Sequence, residues 1–378
     1  MSPHPLTRAA RAVTSLVVRL FLLLVVIEGT ASLVGFALAL AEGLQPPEHE
    51  RLHMRFDPDL GWSSVPGTRL ENFYGPGRNL TINSQGVRAT RSYAAQAPPG
   101  KRRVLCAGDA YTLGTGVDDD STWCAQLERH DPLLETVNLG QGGYGLDQSY
   151  LWVRRDGVGL NFDVLVFAFV RDDFARMEKD SYHHYAKPVL RVGANGELEV
   201  RNVPVPNDGE RMPWLVRNAS LFERLRIVEL ARPALRALRP HAPGLTAGEL
   251  ADLSGKVFES LAQLCAERHA TLVLAYLPTF ADYENPGELW RERIAREARK
   301  RDLAFVDLVD ELRGRPRSEV ARFYESGDDA NHTFETAFSE SGHAWVAEAL
   351  LAHLRALPGF APAPSPAAPT PPIVSPRA

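Results

Sequence analysis

Five short apolar runs, separated by segments of helical periodicity, constrain the fold of residues 98–357 more than any other feature. The runs are Arg103–Ala107, Thr136–Leu139, Val164–Phe169, Leu272–Tyr276 and Ala304–Asp307. Strands that are apolar at nearly every position are typical of a sheet covered by helices on both faces, because both of its faces are then buried. Between the runs, apolar residues recur at helical spacing, as at Val257, Leu261 and Cys265. The alternation therefore predicts a three-layer α/β domain around a five-stranded parallel sheet.

Local signals predict one hairpin and two helix starts within this domain. Alternating apolar residues lie on both sides of Asn195-Gly196, a dipeptide typical of hairpin turns. Residues 175–215 are therefore predicted to be an inserted β-hairpin. Because this insert carries few large apolar side chains, residues 178–206 are expected to contribute little to the core. Ser254 and Ser341 are the expected N-caps of the helices that follow them.

Residues 13–40 form an apolar segment, interrupted by Arg19 and Glu28, that is long enough to cross a bilayer. Its length favours an uncleaved transmembrane anchor over a signal peptide, although Ala39-Leu40-Ala41 resembles a cleavage site and keeps that alternative open. Arginines precede the apolar centre, and nothing comparable follows it closely. By the positive-inside rule, residues 1–12 are predicted to be cytoplasmic and the chain beyond residue 41 to be exported.

The remaining segments are assigned by composition. Residues 42–97 are a lead-in to the domain, and the Pro/Ala-rich residues 358–378 are predicted to be a disordered tail. With 42 basic and 47 acidic side chains, the net charge of −5 gives no reason to expect a nucleic-acid partner. Three cysteines are too few for a disulfide scaffold; one pair could bridge in an oxidising compartment, but the sequence does not say which.

Polar residues and glycines cluster immediately after the predicted strands. In an open parallel sheet the carboxyl ends of the strands meet at one edge, where ligands bind. Four sequence blocks are expected to meet there or beside it: Gly108-Asp109-Ala110, Asn138-Leu139-Gly140-Gln141-Gly142-Gly143-Tyr144-Gly145, Val170-Arg171-Asp172-Asp173 and Asp329-Ala330-Asn331-His332.

These blocks resemble the SGNH (GDSL-type) hydrolases, which are serine esterases and acyltransferases on a flavodoxin-like sheet. The resemblance covers residues 98–357, and the lead-in motifs Asp57–Trp62 and Ile82–Arg88 are similar to those of membrane-anchored, exported members. In the family a serine attacks the ester, a histidine in Asp-x-x-His takes its proton, and a glycine N–H and an asparagine amide bind the oxyanion. The resemblance assigns these roles to Gly143 in the oxyanion hole and to Asp329 and His332 as the charge-relay pair. It implies no cofactor.

Two positions depart from the family pattern. Ala110 stands where the nucleophilic serine is expected, and Asp172 stands where the oxyanion asparagine is expected. An alanine has no nucleophilic atom, and an ionised aspartate would repel the negative charge that develops on the oxyanion. The departures favour a protein that binds an acylated cell-envelope glycan or lipid without cleaving it. The alternative is an active hydrolase or O-acyltransferase that uses His332 and nearby carboxylates.

Three other interpretations of these motifs are weaker. Gly140, Gly142 and Gly145 match a dinucleotide fingerprint, but they follow the second strand, and the acid at the matching offset, Asp163, begins a strand. A divalent cation held by Asp109, Asp172, Asp173 and His332 is less favoured than a helix-capping Asp109 and a solvated Asp173. His343 is a possible substitute for His332, but it lacks the Asp-x-x-His context.

The charge asymmetry around the apolar segment generates a testable topology. Protease added to sealed cells whose outer layer has been opened should digest the chain beyond residue 41, because the positive-inside rule places that part outside. The fragments are detected by antibodies against the two ends of the chain. Complete protection of the domain would contradict the predicted orientation.

Overall fold

The structure, a computed structural model, describes residues 5–43, 53–182, 185–206, 245–285, 288–324, 337–357 and 360. Helix α1 (Pro5–Gly43) contains a segment, Val13–Thr30, that is long and apolar enough to cross a membrane, with a mean hydropathy of 2.0. A membrane anchor and a signal sequence both meet this criterion. The described residues from His53 to Pro206 and from Leu245 onward belong to a second compact unit, of α/β type.

The α/β unit is built on a parallel five-stranded sheet, which confirms the predicted fold class. Its strands are β5 (Arg102–Gly108), β6 (Leu134–Gly140), β7 (Val164–Phe169), β12 (Thr271–Tyr276) and β13 (Ala304–Asp307). Their spatial order is β6-β5-β7-β12-β13, with every neighbouring pair parallel. This is the flavodoxin-like order 2-1-3-4-5, in which the chain reverses direction across the sheet between its first and third strands.

Helices cover both faces because successive strand residues point to opposite sides. Leu105 packs into one apolar core, and its neighbours Val104 and Cys106 pack into the other. The helices of the α/β unit are α2 (Ala110–Leu113), α3 (Trp123–His130), α4 (Leu146–Arg155), α5 (Arg171–Arg176), α6 (Ala247–Glu267), α7 (Phe280–Glu284), α8 (Glu288–Lys300), α9 (Val309–Arg313), α10 (Arg317–Val320) and α11 (Glu340–Ala356). Helices α4, α6 and α8 contribute to the first core, and α3, α9 and α11 contribute to the second.

Both predicted N-caps are wrong, because stronger caps lie upstream. Helix α6 begins after Thr246, whose side chain accepts a hydrogen bond from the Glu249 backbone N–H, so Ser254 lies inside the helix. There its hydroxyl donates to the Leu250 carbonyl. Helix α11 begins after Ser339, two residues before Ser341. Helix periodicity located both helices but not their first residues.

The lead-in belongs to the α/β unit from residue 53 onward. Its strands are β1 (Met54–Asp57), β2 (Gly61–Ser64), β3 (Arg69–Leu70) and β4 (Leu80–Thr81). Arg88 forms a bridge to Asn138 on β6, so the lead-in is joined to the edge of the main sheet. Of the predicted tail, only Phe360 is described, and it is buried beneath the Arg102 guanidinium. The three cysteines are buried free thiols.

The predicted hairpin is confirmed at residues 189–201, whereas residues 207–215 of the predicted insert lie outside the described residues. The expected independence of the hairpin from the core is wrong. The hairpin consists of β10 (Val189–Val192) and β11 (Leu198–Arg201), paired antiparallel, and it follows a smaller pair, β8 (Ser181–Tyr182) and β9 (Tyr185–Ala186). Leu190 is fully buried in the first core, and Lys187 is also fully buried. Strand alternation alone did not reveal that one strand of the hairpin lies against the domain.

Truncation of Leu190 tests this packing. Leu190→Ala should lower the free energy of unfolding by about 2–5 kcal/mol, since it removes buried apolar contacts and leaves a cavity. Val192→Ala, on the same strand but 42% exposed, is the matched control and should have little effect. Denaturant unfolding of the detergent-solubilised chain measures both. Equal, small losses would show that the hairpin is not part of the core.

Candidate functional site

The first sequence block forms the start of α2 at the carboxyl end of β5. Asp109 caps this helix: its Oδ1 accepts a hydrogen bond from the Tyr111 backbone N–H at 2.9 Å, as expected for a capping aspartate. Ala110 is therefore the first residue of the helix, and only 7% of its surface is exposed. The position to which the sequence resemblance assigns a nucleophile carries a nearly enclosed methyl group.

The second block forms a tight turn after β6, packed against α2. A Cβ on Gly140 would overlap the backbone nitrogen of Leu113, so only glycine permits this approach. Gly143 has a φ of +77°, and a Cβ there would lie 2.5 Å from Cε1 of Tyr182. Trp62 donates from Nε1 to the Gly142 carbonyl at 3.0 Å. The turn that carries the expected oxyanion donor is thus covered by two aromatic side chains.

The third block separates its two aspartates. Asp172 is exposed, whereas Asp173 is buried and accepts a hydrogen bond from the Val170 backbone N–H at 3.0 Å. The expectation of a solvated Asp173 is therefore wrong, and that of a helix-capping Asp109 is correct. Of the four expected metal ligands, His332 lies outside the described residues. Within the described part of the chain, no group of three or more His, Cys, Asp or Glu side chains could hold a metal ion.

Arg176 joins the first and third blocks. Its Nη1 donates to Asp109 Oδ2 at 3.3 Å, to Asp173 Oδ1 at 2.5 Å and to the Tyr144 carbonyl at 3.2 Å. The guanidinium also lies 5.3 Å from the centroid of the Tyr182 ring, within cation–π range. The guanidinium and both carboxylates are buried, so the pairing is weakly screened and the carboxylates are fixed in place.

A second buried ion pair fastens the hairpin to the site. Lys187 and Asp147 have fully buried side chains, 2.5 Å apart. The ammonium also donates to the carbonyls of Arg176 and Lys179, each at 3.2 Å, so all three of its protons have acceptors. Removal of one partner from such a pair leaves an uncompensated charge and typically costs about 3–5 kcal/mol. The pair therefore holds the segment after β9 against α4 and α5.

The fourth block, with Asp329 and His332, lies outside the described residues. His343, its alternative, is fully buried at the start of α11, and its Nδ1 accepts a hydrogen bond from the Trp123 backbone N–H at 3.1 Å. Burial, with a smaller contribution from Arg88, lowers the pKa of His343 from 6.5 to about 3. An imidazole closed off from solvent and hard to protonate is poorly suited to act as a general base for a bound substrate.

The dinucleotide interpretation meets two obstacles in the structure. The glycine-rich turn follows β6, which is the edge strand of the sheet. Asp163 directly precedes β7 and accepts a hydrogen bond from the Arg103 backbone N–H at 2.7 Å, at the amino end of the strands. Asp163 therefore lies at the amino ends of the strands, whereas the glycines lie at the carboxyl ends.

Sequence reasoning missed Arg176, Lys187 and the aromatic residues around Gly143. Arg176 follows Asp173 by three residues on one helix, a spacing that favours an ion pair and was available as a signal. No comparable signal pointed to Lys187, since Asp147 is 40 residues away in sequence. Trp62 and Tyr182 lie in the lead-in and in the insert, and only the folded chain brings them to the second block.

Comparison with known proteins gives likenesses to solved structures alone. No family model matches the sequence, and no curated protein matches it. A lipolytic protein of the G-D-S-L family from Veillonella parvula is 12% identical, with 68% of this chain and 99% of that chain covered and a TM-score of 0.39. The acetyl xylan esterase AlAXEase is 15% identical, with 66% and 98% covered and a TM-score of 0.36. A lipase/acylhydrolase from Enterococcus faecalis is 10% identical, with 67% and 95% covered and a TM-score of 0.38.

The buried His343 makes stability depend on pH. The pKa of His343 is lower in the folded chain than in the unfolded chain. Its contribution to the free energy of unfolding is therefore complete above about pH 6.5 and is lost as the pH falls towards about 3. When the pH falls from about 7.5 to about 5, this one histidine should lower the free energy of unfolding by roughly 2 kcal/mol.

Denaturant unfolding at these two pH values measures the effect. His343→Asn should weaken the pH dependence, because one of the two buried histidines with a lowered pKa among the described residues is gone. His130→Asn, at an exposed position, should leave the dependence unchanged. An equal pH dependence in wild type and His343→Asn would contradict the prediction.

Proposed function

We propose that this chain is a member of the SGNH hydrolase family that no longer cleaves esters and instead binds an acylated glycan or lipid of the cell envelope. Helix α1 anchors it in the membrane with its N-terminus inside and the α/β unit on the extracytoplasmic side. The single observation that carries the loss of catalysis is the methyl group of Ala110 at the first position of α2.

The argument from Ala110 is chemical. Acyl transfer in this family begins with attack by an oxygen on the carbonyl carbon, and the first residue of α2 is where that oxygen belongs. The hydroxyl of Thr112, two residues further on, cannot replace it, because Thr112 is fully buried with its Oγ1 against the Cα of Gly108. A direct attack by water would require a base and an oxyanion hole that are both in place.

The oxyanion site supports the same conclusion. Asp172 is exposed, and a carboxylate presents only hydrogen-bond acceptors. The turn around Gly143 is covered by Tyr182. Preorganised donors supply the largest share of catalysis in such sites, so their loss together with the nucleophile removes the main sources of rate.

Buried ion pairs fix the described part of the site, which favours retained binding. Arg176 and the Lys187–Asp147 pair hold four segments in fixed positions at the carboxyl edge of the sheet. Ligand binding needs such preorganisation even where no bond is broken. The choice of an acylated ligand rests on the family resemblance of the four sequence blocks.

Restoration of the missing groups tests the proposal. Ala110→Ser alone should give little activity, because Asp172 still opposes the developing charge. The double variant Ala110→Ser/Asp172→Asn should hydrolyse a short acyl ester measurably faster than either single variant, since one oxyanion donor contributes about 10²–10³ in rate at comparable sites. Wild type should remain near background.

Two controls complete the experiment. Adding His332→Ala to the double variant should abolish both the gained activity and labelling of the introduced serine by a phosphonate probe. If wild type already hydrolyses the ester and His332→Ala abolishes that activity, the proposed loss of catalysis is wrong. A water-activating site with His332 and nearby carboxylates would then replace it.

A further inference from the structure

A group of aromatic residues borders the Gly142–Gly143 turn and is here called the aromatic rim: Phe56, Trp62, Tyr182 and Tyr185. Trp62 lies at its centre, stacked on Tyr182 with ring centroids 6.1 Å apart and tilted against Tyr185 at 6.0 Å. Phe56 is the direct cross-strand partner of Trp62 in the β1–β2 pair, which places the two side chains on one face. The rim thus combines the lead-in and the insert at the mouth of the site.

The outer members of the rim are exposed. Phe56 is 39% exposed and Tyr185 is 40% exposed. No other Phe, Trp or Tyr side chain in the described part of the α/β unit is as exposed as these two. Both flank Trp62, which is only 4% exposed and forms the base of the surface. Contiguous apolar surface next to a binding site is typical of a contact with a partner or a membrane.

The rim is rigid rather than an exposed loop tip. Trp62 donates to the Gly142 carbonyl, and the Tyr144 hydroxyl donates to the Trp62 carbonyl at 2.5 Å. Lys187, two residues after Tyr185, is fixed in its buried ion pair. Trp62, at the base of the rim, and the segment that follows Tyr185 are therefore fixed in place.

The length of chain between α1 and the rim indicates what covers it. Helix α1 ends at Gly43 and β1 begins at Met54, so Phe56 follows the helix by 13 residues. Thirteen residues span at most about 45 Å when fully extended. A domain of this size is itself roughly 50 Å across. If α1 is held in a bilayer, the strand that carries Phe56 has to remain within about one domain diameter of that bilayer.

We propose that the aromatic rim rests in the headgroup region of the bilayer that holds α1. Aromatic side chains favour this region, because their rings are apolar while the indole N–H and phenol O–H groups can reach polar partners. The inference rests on the anchoring part of the proposed function. A membrane contact at the rim also favours one of the two proposed ligands, the lipid over the acylated glycan. A site that lies beside the bilayer would take its acylated ligand from the membrane.

Site-specific fluorescence in membranes tests the proposal. The full-length variants Phe56→Cys and Tyr185→Cys are labelled with an environment-sensitive maleimide dye and reconstituted into phosphatidylethanolamine–phosphatidylglycerol vesicles. The native cysteines are at most 2% exposed, so the dye should react with the introduced thiol, and unsubstituted protein controls for background labelling. Leu133→Cys is the matched control, because Leu133 is an equally exposed apolar residue (47%) at the amino edge of the sheet.

Lipids brominated in the upper acyl chain should quench the dye at positions 56 and 185 by roughly half and leave position 133 unchanged, since interfacial groups enter about 5–10 Å into the headgroup–acyl boundary. Equal quenching, or none, at all three positions would overturn the rim as a membrane contact.

An alkaline carbonate wash of the same vesicles separates the two proposals. If the protein withstands the wash but shows no selective quenching, the membrane anchor is supported and the contact of the rim with the bilayer is contradicted. If the protein is washed off the vesicles, both proposals are contradicted.

Discussion

The close approach of two chain segments at the carboxyl ends of β5 and β6 is the constraint on which the site depends. The turn after β6 passes so near α2 that a side chain on Gly140 would overlap the Leu113 backbone. Gly108, at the end of β5, is equally confined by Thr112 and by the Ala168 carbonyl. Because neither segment can move away, the start of α2 lies directly at the edge of the sheet. Ala110 and the Gly143 turn are consequently fixed there, whatever chemistry they carry out.

Buried charges hold the surrounding segments in this arrangement. Arg88, from the lead-in, donates to the carbonyls of Leu113, Gly114, Asn79 and Val117 and to the Asp119 carboxylate. It thereby stabilises the chain just after α2 with a single guanidinium, whose planar set of donors suits this role. Arg176 acts similarly between α2 and α5. Arg88 donates every one of its N–H groups to a protein acceptor, and Arg176 is paired with two buried carboxylates, so both arginines contribute order to the site.

The lead-in and the insert add the side chains that pack over the carboxyl ends of the strands in this α/β unit. Trp62 from the lead-in and Tyr182 from the insert cover the Gly142–Gly143 turn, which the sequence resemblance assigns to the oxyanion hole. The Lys187–Asp147 pair keeps the insert in place at the cost of burying two charges, which is tolerated because every proton of the ammonium has an acceptor. The lead-in and the insert thus place aromatic side chains both over the Gly142–Gly143 turn and on the exposed surface beside it, so the proposed loss of catalysis and the proposed membrane contact are compatible with one arrangement.

The sequence by itself determined the features that depend on local pattern. Continuous apolar runs predicted the five strands of the sheet, Asn195-Gly196 predicted the hairpin, and the sequence itself places an alanine at position 110, two residues after the end of β5. Helix starts were misplaced at Ser254 and Ser341, because several nearby residues can cap a helix and packing selects among them. Only the tertiary structure decided that Asp173 is buried, that Arg176 reaches Asp109 and that Lys187 pairs with Asp147. Periodicity records which face of an element is apolar, whereas a buried ion pair between distant segments depends on how those faces meet.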